Sequence, residues 1–490
     1  IRRPPRSTLF PYPTLFRSRP SGVKVGIISL SGNNTIWVKL EGSPDDYYIP
    51  GLRWVDNDLL LVEQVNRKQN HLNIYSFKPS TGSLKNIYSE SSDTWIDIKY
   101  PDITANNWSQ DDLFMTDKNQ SFLRMTETDA WRHIYKINIT SGKKTLLTPG
   151  DFDVASICAV TDKDLYFIAS PSNSTQRYLF RTDMEGKGKQ ERVTPQSYPG
   201  INRYSISPDG LYANHIFSSH SEPSSSRLIS LPNHKTIRNL TDNEEYKKEI
   251  SSLELPEVKF MKVKTEDGIE MDVKMVYPVN FNPENKYPVI FYVYGEPWGQ
   301  LAVDDPLELW EIMLAQQGYF YIAMDNRGTP CLKGTEWRKS LYKKIGVINA
   351  RDQAMGAREL LKLSYLDSER TAVWGWSGGG SMTLNLMFRY PEIYRTGIAV
   401  AAVSNQLLYD NIYQERYMGL PQENREAFIE GSPVTYAKNL KGNLLLIHGT
   451  GDDNVHYQNF ELVVNELVRH NKQFQMMAYP NRSQDRKSVV

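Results

Sequence analysis

Hydrophobic and polar residues alternate in short runs from about Val23 to Leu253, and Gly, Asn, Asp, Ser and Pro break the runs. Alternation with a period of two between turn residues predicts β-strands, and hardly any stretch of this half carries a helical period. A coarse repeat overlies the alternation. Leu72-Asn-Ile-Tyr-Ser-Phe77 is followed by Thr81-Gly82, His133-Ile-Tyr-Lys-Ile137 by Ser141-Gly142, Tyr178-Leu-Phe-Arg-Thr182 by Glu185-Gly186, and Arg227-Leu-Ile-Ser-Leu231 by Pro232-Asn233. The corresponding residues Tyr75, Tyr135, Leu179 and Leu228 lie 60, 44 and 49 residues apart. Strand, turn, strand units at such spacings predict propeller blades, four to five of them; a pair of β-sandwiches is the competing architecture, since the spacing is uneven. Ser224-Ser-Ser226 and Asn173-Ser-Thr175 read as loops, and His215 and His220 as isolated histidines with no metal to bind.

After Leu255-Pro256 the pattern changes. Two alternating runs, Val258 to Thr265 and Met271 to Tyr277, flank the turn Glu266-Asp-Gly268 and predict a hairpin. Tyr287 to Tyr294 is a near-continuous apolar run, as expected of a strand covered on both faces. Helices predicted over 307–317, 350–363, 382–389 and 459–470 then alternate with strands over 319–324, 371–376, 396–402, 443–448 and 474–479. This alternation predicts a doubly wound, mostly parallel sheet with helices on both faces.

One stretch of that half carries chemistry. Thr371-Ala-Val-Trp-Gly-Trp-Ser-Gly-Gly-Gly-Ser-Met-Thr383 reads as a short strand, a glycine-flanked serine and the start of a helix. Ser377 is the central residue of G-x-S-x-G, where small neighbours allow the sharp turn that holds a nucleophilic hydroxyl clear of the sheet. The carboxylate such a serine requires belongs after a later strand. Asp452, 75 residues on and at the end of the strand Leu444 to His448, stands there. The histidine belongs after the next strand still. The eight histidines are residues 71, 133, 215, 220, 234, 448, 456 and 470, and none follows Tyr479.

Composition narrows the function classes. With 57 basic and 57 acidic residues the chain has no net field to attract nucleic acid or an anionic membrane, and it contains no basic block. No apolar run reaches the length of about 18 residues that a membrane span needs. Cys158 and Cys331 fall in different halves, so free thiols rather than a disulfide are expected, and no cofactor or metal motif occurs. At 490 residues two domains are expected.

The ends differ from the rest. Ile1 to Ser18 has four prolines, four arginines and no periodicity, and it reads as translated adapter sequence, as does the stretch from Gln484 to Val490. A secretory signal would need an apolar core that the first stretch lacks. The expected organisation is therefore artefact over 1–18, partial β-propeller over 19–254, α/β-hydrolase domain over 255–483 and artefact over 484–490, a fragment of a longer protein.

Four separated motifs, Gly375-Trp-Ser-Gly-Gly379, Asn411-Ile-Tyr-Gln-Glu-Arg-Tyr-Met-Gly-Leu-Pro421, His448-Gly-Thr-Gly-Asp-Asp-Asn-Val-His456 and Asp325-Asn-Arg-Gly-Thr329, resemble the dipeptidyl peptidase IV branch of the prolyl oligopeptidase family. The resemblance covers about residues 23–479, strongly in the second half. It implies an eight-bladed propeller capping an α/β-hydrolase, usually a homodimer, periplasmic, secreted or at the cell surface. The implied activity is release of N-terminal dipeptides from peptide substrates with proline or alanine second. By the same resemblance Ser377 is the nucleophile and Asp452 the triad acid, while Tyr294 and the backbone N–H of Gly378 form the oxyanion hole. Val403, Tyr409, Tyr413 and Val455 line the pocket for the residue before the scissile bond, and Asn454 holds a substrate carbonyl.

The chain departs from the family's pattern in three ways. Gly378 and Gln406 stand where relatives commonly place aromatics, which widens the implied pocket. No stretch matches the paired glutamates that grip the substrate's amino group. The register of Phe474 to Ser483 puts the family's catalytic histidine at position 484, where this chain has Gln484. An active parent with an inert fragment is the first expectation. An acylaminoacyl peptidase or oligopeptidase, or a non-catalytic peptide-binding protein, are the alternatives.

Overall fold

The computed structural model describes residues 21–30, 32, 34–98, 102, 104 and 113–484; the segment 1–18 and all of the final stretch after Gln484 lie outside the described residues. The first half is a series of antiparallel sheets whose strands neighbour one another nearly in chain order. A five-stranded sheet (Tyr47–Tyr48, Leu52–Asp56, Leu59–Asn66, His71–Lys78, Ser83–Ser91) precedes three four-stranded ones, which begin at Phe114–Thr116, Val154–Val160 and Ile201–Ile206. These are propeller blades, as the repeat predicts. Period-two alternation is what stacks them. Phe122 packs back among Leu61, Ile74 and Ile137, whereas its neighbour Leu123 packs forward with Leu165 and Phe167 of the next blade.

Two local expectations fail. Ser224–Ser226 is not a loop but the middle of the strand Glu222–Ser230, where Ser226 pairs with Ile216, because the ladder on both sides carries a segment that is polar in composition. A helix, Glu244–Ser251, closes a half in which hardly any stretch carries a helical period. Asn173–Thr175 is irregular as expected, and His215 and His220 bond Asn202 and Asp304.

The second half is built on one sheet of eight strands: β1 (Val258–Lys264), β2 (Glu270–Val276), β3 (Tyr287–Tyr292), β4 (Phe320–Met324), β5 (Leu366–Trp376), β6 (Thr396–Val400), β7 (Asn443–Gly449) and β8 (Gln475–Tyr479). Their order is β1-β2-β4-β3-β5-β6-β7-β8, antiparallel at the first two pairings and parallel thereafter. Helices α1 (Leu309–Gln316), α2 (Ile348–Leu360), α3 (Gly378–Arg389), α4 (Asn411–Met418) and α5 (Gln458–Arg469) connect or flank the strands. The main apolar core joins Val273, Phe291, Phe320, Val373 and Leu446 of the sheet to Ala354, Leu386 and Val463 of α2, α3 and α5. This is the α/β-hydrolase architecture.

Charged side chains tie the halves together. Arg338 reaches Asp153 through both terminal nitrogens (2.5 and 3.1 Å) and Glu127 through Nε (2.8 Å); Arg338 and Asp153 are buried, and the Glu127 side chain is 8% exposed. Lys339 bridges Asp97 (2.9 Å) and Glu127 (3.0 Å), and Arg67 holds the buried carboxylate of Glu415 on α4 (2.6 Å). Cys158 and Cys331 are both free thiols; Cys331 is buried, and Cys158 is only partly so. Among the described residues no helix is long and apolar enough to cross a membrane.

Candidate active site

The parallel register brings three loops together at the carboxyl edge of the sheet, where such folds place ligands. β5 lies between β3 and β6. Val293, just beyond β3, donates to Trp374 O (3.0 Å), and Ser377, just beyond β5, donates to Val400 O of β6 (2.9 Å). Tyr294 and Ser377 therefore leave neighbouring strands side by side.

Ser377 has the conformation of an elbow. Its φ of 56° and ψ of −117° lie outside the regions that L-residues prefer; such strain costs on the order of 1–3 kcal/mol and persists where the surroundings impose it. Here they do. Gly379 backs onto β3, where an added Cβ would sit 2.2 Å from Val293 O, so the helix can start this close to the sheet only with bare backbone. Ser377 occupies the N-cap of α3, yet its side chain makes no capping bond. Among the described residues nothing hydrogen-bonds its hydroxyl, which faces a cavity of about 30 Å³.

Tyr294, Glu296, Gly378, Ser381, Val403, Gln406, Tyr409, Tyr413 and Gln414 complete the lining of that cavity. The expected residues Tyr294, Gly378, Val403, Tyr409 and Tyr413 thus meet around Ser377. Burial pushes the Tyr294 hydroxyl up, with the carboxyl of Glu296 adding to the shift, so it stays a protonated donor. Tyr409 is pushed up to about 12 for the same first reason. Its ring meets that of Tyr413 edge-on, centroids 5.2 Å apart.

Asp452 is buried beyond β7. Its Oδ1 accepts from the backbone of Asn454 (3.0 Å) and Val455 (2.8 Å). Its Oδ2 is buried and accepts no hydrogen bond; the nearest imidazole, His448, lies 3.3 Å away and spends Nε2 on Val455 O (2.8 Å). The loop after β8 folds across this one: Thr450 donates to Tyr479 O (2.9 Å) and Gly451 to Arg482 O (3.0 Å). That brings position 484 to the acid loop, where Gln484 Oε1 accepts from Asn454 Nδ2. Asn454 Oδ1 accepts from Tyr409 (3.2 Å), joining the acid loop to the cavity wall. Val455 is buried beneath the loop and is not among the residues lining the cavity.

One site residue escapes sequence reasoning. Glu296, only 6 % exposed, faces the cavity and accepts a hydrogen bond from Tyr413. Burial raises its carboxyl to about 7, and the Tyr413 bond offsets only part of that. Its signal was its place two residues after Tyr294 in Val293-Tyr-Gly-Glu-Pro297. No group of His, Cys, Asp and Glu among the described residues could hold a metal.

Comparison with known proteins finds matches to both halves of the chain. A model described as the prolyl oligopeptidase family matches residues 307–483, and one described as the dipeptidyl peptidase IV N-terminal region matches residues 2–224. Dipeptidyl peptidase 4 of Trichophyton equinum is 29% identical over 476 residues, covering 95% of this chain and 60% of that protein. Its counterpart from Arthroderma otae is 28% identical with the same coverage. The crystal structure of Porphyromonas gingivalis dipeptidyl peptidase 4 superposes with a TM-score of 0.87 at 29% identity, over 95% of this chain and 64% of that one. The chain thus spans about 60% of the length of the curated relatives it matches.

Proposed function

The chain belongs to the dipeptidyl peptidase IV branch of the prolyl oligopeptidase family, and from that membership we propose that it comes from a serine exopeptidase that releases N-terminal dipeptides through an acyl-enzyme. In this reading Ser377 Oγ attacks the scissile carbonyl and passes its proton to an imidazole at position 484. The oxyanion that forms accepts hydrogen bonds from Tyr294 and the Gly378 N–H. The imidazolium returns its proton to the leaving amine, and water then hydrolyses the ester by the reverse use of the same groups. Asp452 would accept the imidazole's other N–H, fixing its tautomer and offsetting its charge.

The observation that carries the reading is Asp452 Oδ2, which accepts no hydrogen bond although His448 Nε2 lies 3.3 Å away. A buried carboxylate oxygen without a donor is costly, on the order of 1–3 kcal/mol. It lies in the loop that position 484 touches, and it would be satisfied by the imidazole that this chain lacks there. Gln484 can supply neither a base nor an acid. The chain with Gln484 is therefore expected to be inert, because loss of a triad member costs several orders of magnitude.

The test is hydrolysis of Ala-Pro-p-nitroanilide by the chain and by its Gln484→His variant. The variant is expected to be faster by at least about 10³-fold. Equal turnover by the two, or a variant of unchanged fold that hydrolyses no dipeptide p-nitroanilide, overturns the reading.

A further inference from the structure

We propose that the cavity beside Ser377 selects a dipeptide whose second residue ends in a hydrogen-bond donor, a cationic side chain such as lysine above all, in place of proline. The inference rests on Ser377 being the nucleophile of a dipeptide-releasing site and goes further by naming the substrate class.

Three observations support it. First, part of the cavity lining is polar although deeply buried. Glu296, Gln406 and Gln414 are 6%, 2% and 1% exposed, and all three line the cavity. A pocket for a pyrrolidine ring would gain nothing from these groups and would leave their remaining acceptors desolvated.

Second, the groups offer acceptors in excess. Gln414 Nε2 donates to Gln406 Oε1 (2.6 Å), which leaves Gln414 Oε1 buried with no hydrogen bond. Glu296 accepts from Tyr413 alone, and no Lys, Arg or His pairs with it among the described residues. Its titratable neighbours are Tyr294, Tyr409, Tyr413 and Tyr417, each sensing its charge, and the nearest cation on the packed helix, Arg416, is directed toward Trp298 and Gln69. A buried carboxylate without a cation is destabilising, and its raised affinity for protons, to about 7, reflects that. A ligand cation would relieve it.

Third, space is left for the carboxylate by design of the neighbouring position. Gly378 has no side chain, and a Cβ there would lie 2.4 Å from Glu296 Cγ. The absence of a side chain at 378 and the presence of the acid at 296 are one arrangement.

The decisive experiment titrates the unmodified chain calorimetrically with Ala-Lys-amide, Ala-norleucine-amide and Ala-Pro-amide at pH 5.5 and 8.5. Norleucine keeps the lysine stem and removes the donor. Lysine is expected to bind at least 10-fold tighter than norleucine or proline at pH 8.5. The preference should shrink at pH 5.5, where Glu296 is protonated, and vanish in Glu296→Gln. Equal binding of lysine and norleucine, tighter binding of proline, or no binding of the lysine ligand overturns the proposal.

A second arm separates this proposal from the exopeptidase reading. If Gln484→His hydrolyses the Ala-Pro anilide and rejects the Ala-Lys anilide, the exopeptidase reading stands and the lysine pocket falls. Faster hydrolysis of Ala-Lys supports both. Selective lysine binding by a variant that hydrolyses neither anilide supports the pocket and overturns the exopeptidase.

Discussion

Gly378 and Glu296 occupy complementary space: a Cβ on the first would stand 2.4 Å from Cγ of the second and 3.2 Å from its carboxyl carbon. Neither residue is independent of the other. Gly378→Ala should destabilise the chain by about 1–3 kcal/mol, the usual range for overpacking. The same change in a Glu296→Ala background should cost much less. Urea denaturation of the four proteins of the cycle measures the coupling, and strict additivity would show that the acid moves aside without strain.

Glu296 should also make stability depend on pH. Its carboxyl is raised to about 7 in the fold from an ordinary value of 4.5. The folded chain therefore holds a proton that the unfolded chain has already lost. Stability conferred by the protonated form is present below about pH 4.5 and is lost as pH rises through 7. Glu296→Gln should be close to wild type at pH 4.5 and more stable at pH 8 by a margin on the order of 3 kcal/mol. Denaturant midpoints at the two pH values test it, and a difference that does not grow with pH would contradict it.

Tyr294 tests the oxyanion assignment. In the Gln484→His background, Tyr294→Phe should lower kcat by about 10²- to 10³-fold, the range for one lost oxyanion donor. KM should change little. A loss confined to KM would instead place the hydroxyl in ground-state binding.

The seam between blades and sheet carries its own pH signature. Burial alone would raise Glu127, but Arg338, Lys339 and Arg132 outweigh it and hold the carboxyl well below the ordinary 4.5. A depressed folded value means that the contribution is complete above that ordinary value and is lost as pH falls below it. Arg338→Ala removes one partner of a buried pair and should cost about 3–5 kcal/mol at pH 7. The gap from wild type should narrow in acid. Thermal melts at pH 7 and pH 3.5 measure both effects.

Much of this molecule can be read from its residues in order. The change of period after Leu255 marks where blades give way to the parallel sheet, and Gly375 to Gly379 with the strand before it specifies the elbow. Asp452 follows from its place after β7. What escapes is what depends on distant packing. α4 has no amphipathic period because it buries Gln414, Glu415 and Arg416 beside Tyr417 and Met418, and Glu415 is paid for by Arg67, 348 residues away. Ser224–Ser226 is strand because its neighbours hold it in register. Glu296 becomes a pocket residue only once β3 and β5 end side by side. The family resemblance implies Val455 as a wall residue, yet it is not among the residues lining the cavity, and its carbonyl bonds His448.

The run of three glycines after Ser377 also governs how this centre responds to systematic mutagenesis. Alanine at 379 or 380 would put a carbon 2.2 Å from Val293 O or 2.5 Å from Val400 O. An alanine scan will therefore score both positions as folding defects, and no side-chain change removes the neighbouring Gly378 amide proposed for the oxyanion. That amide is accessible from the other direction, by replacing the substrate's carbonyl oxygen with sulfur and reading the loss on an otherwise intact protein.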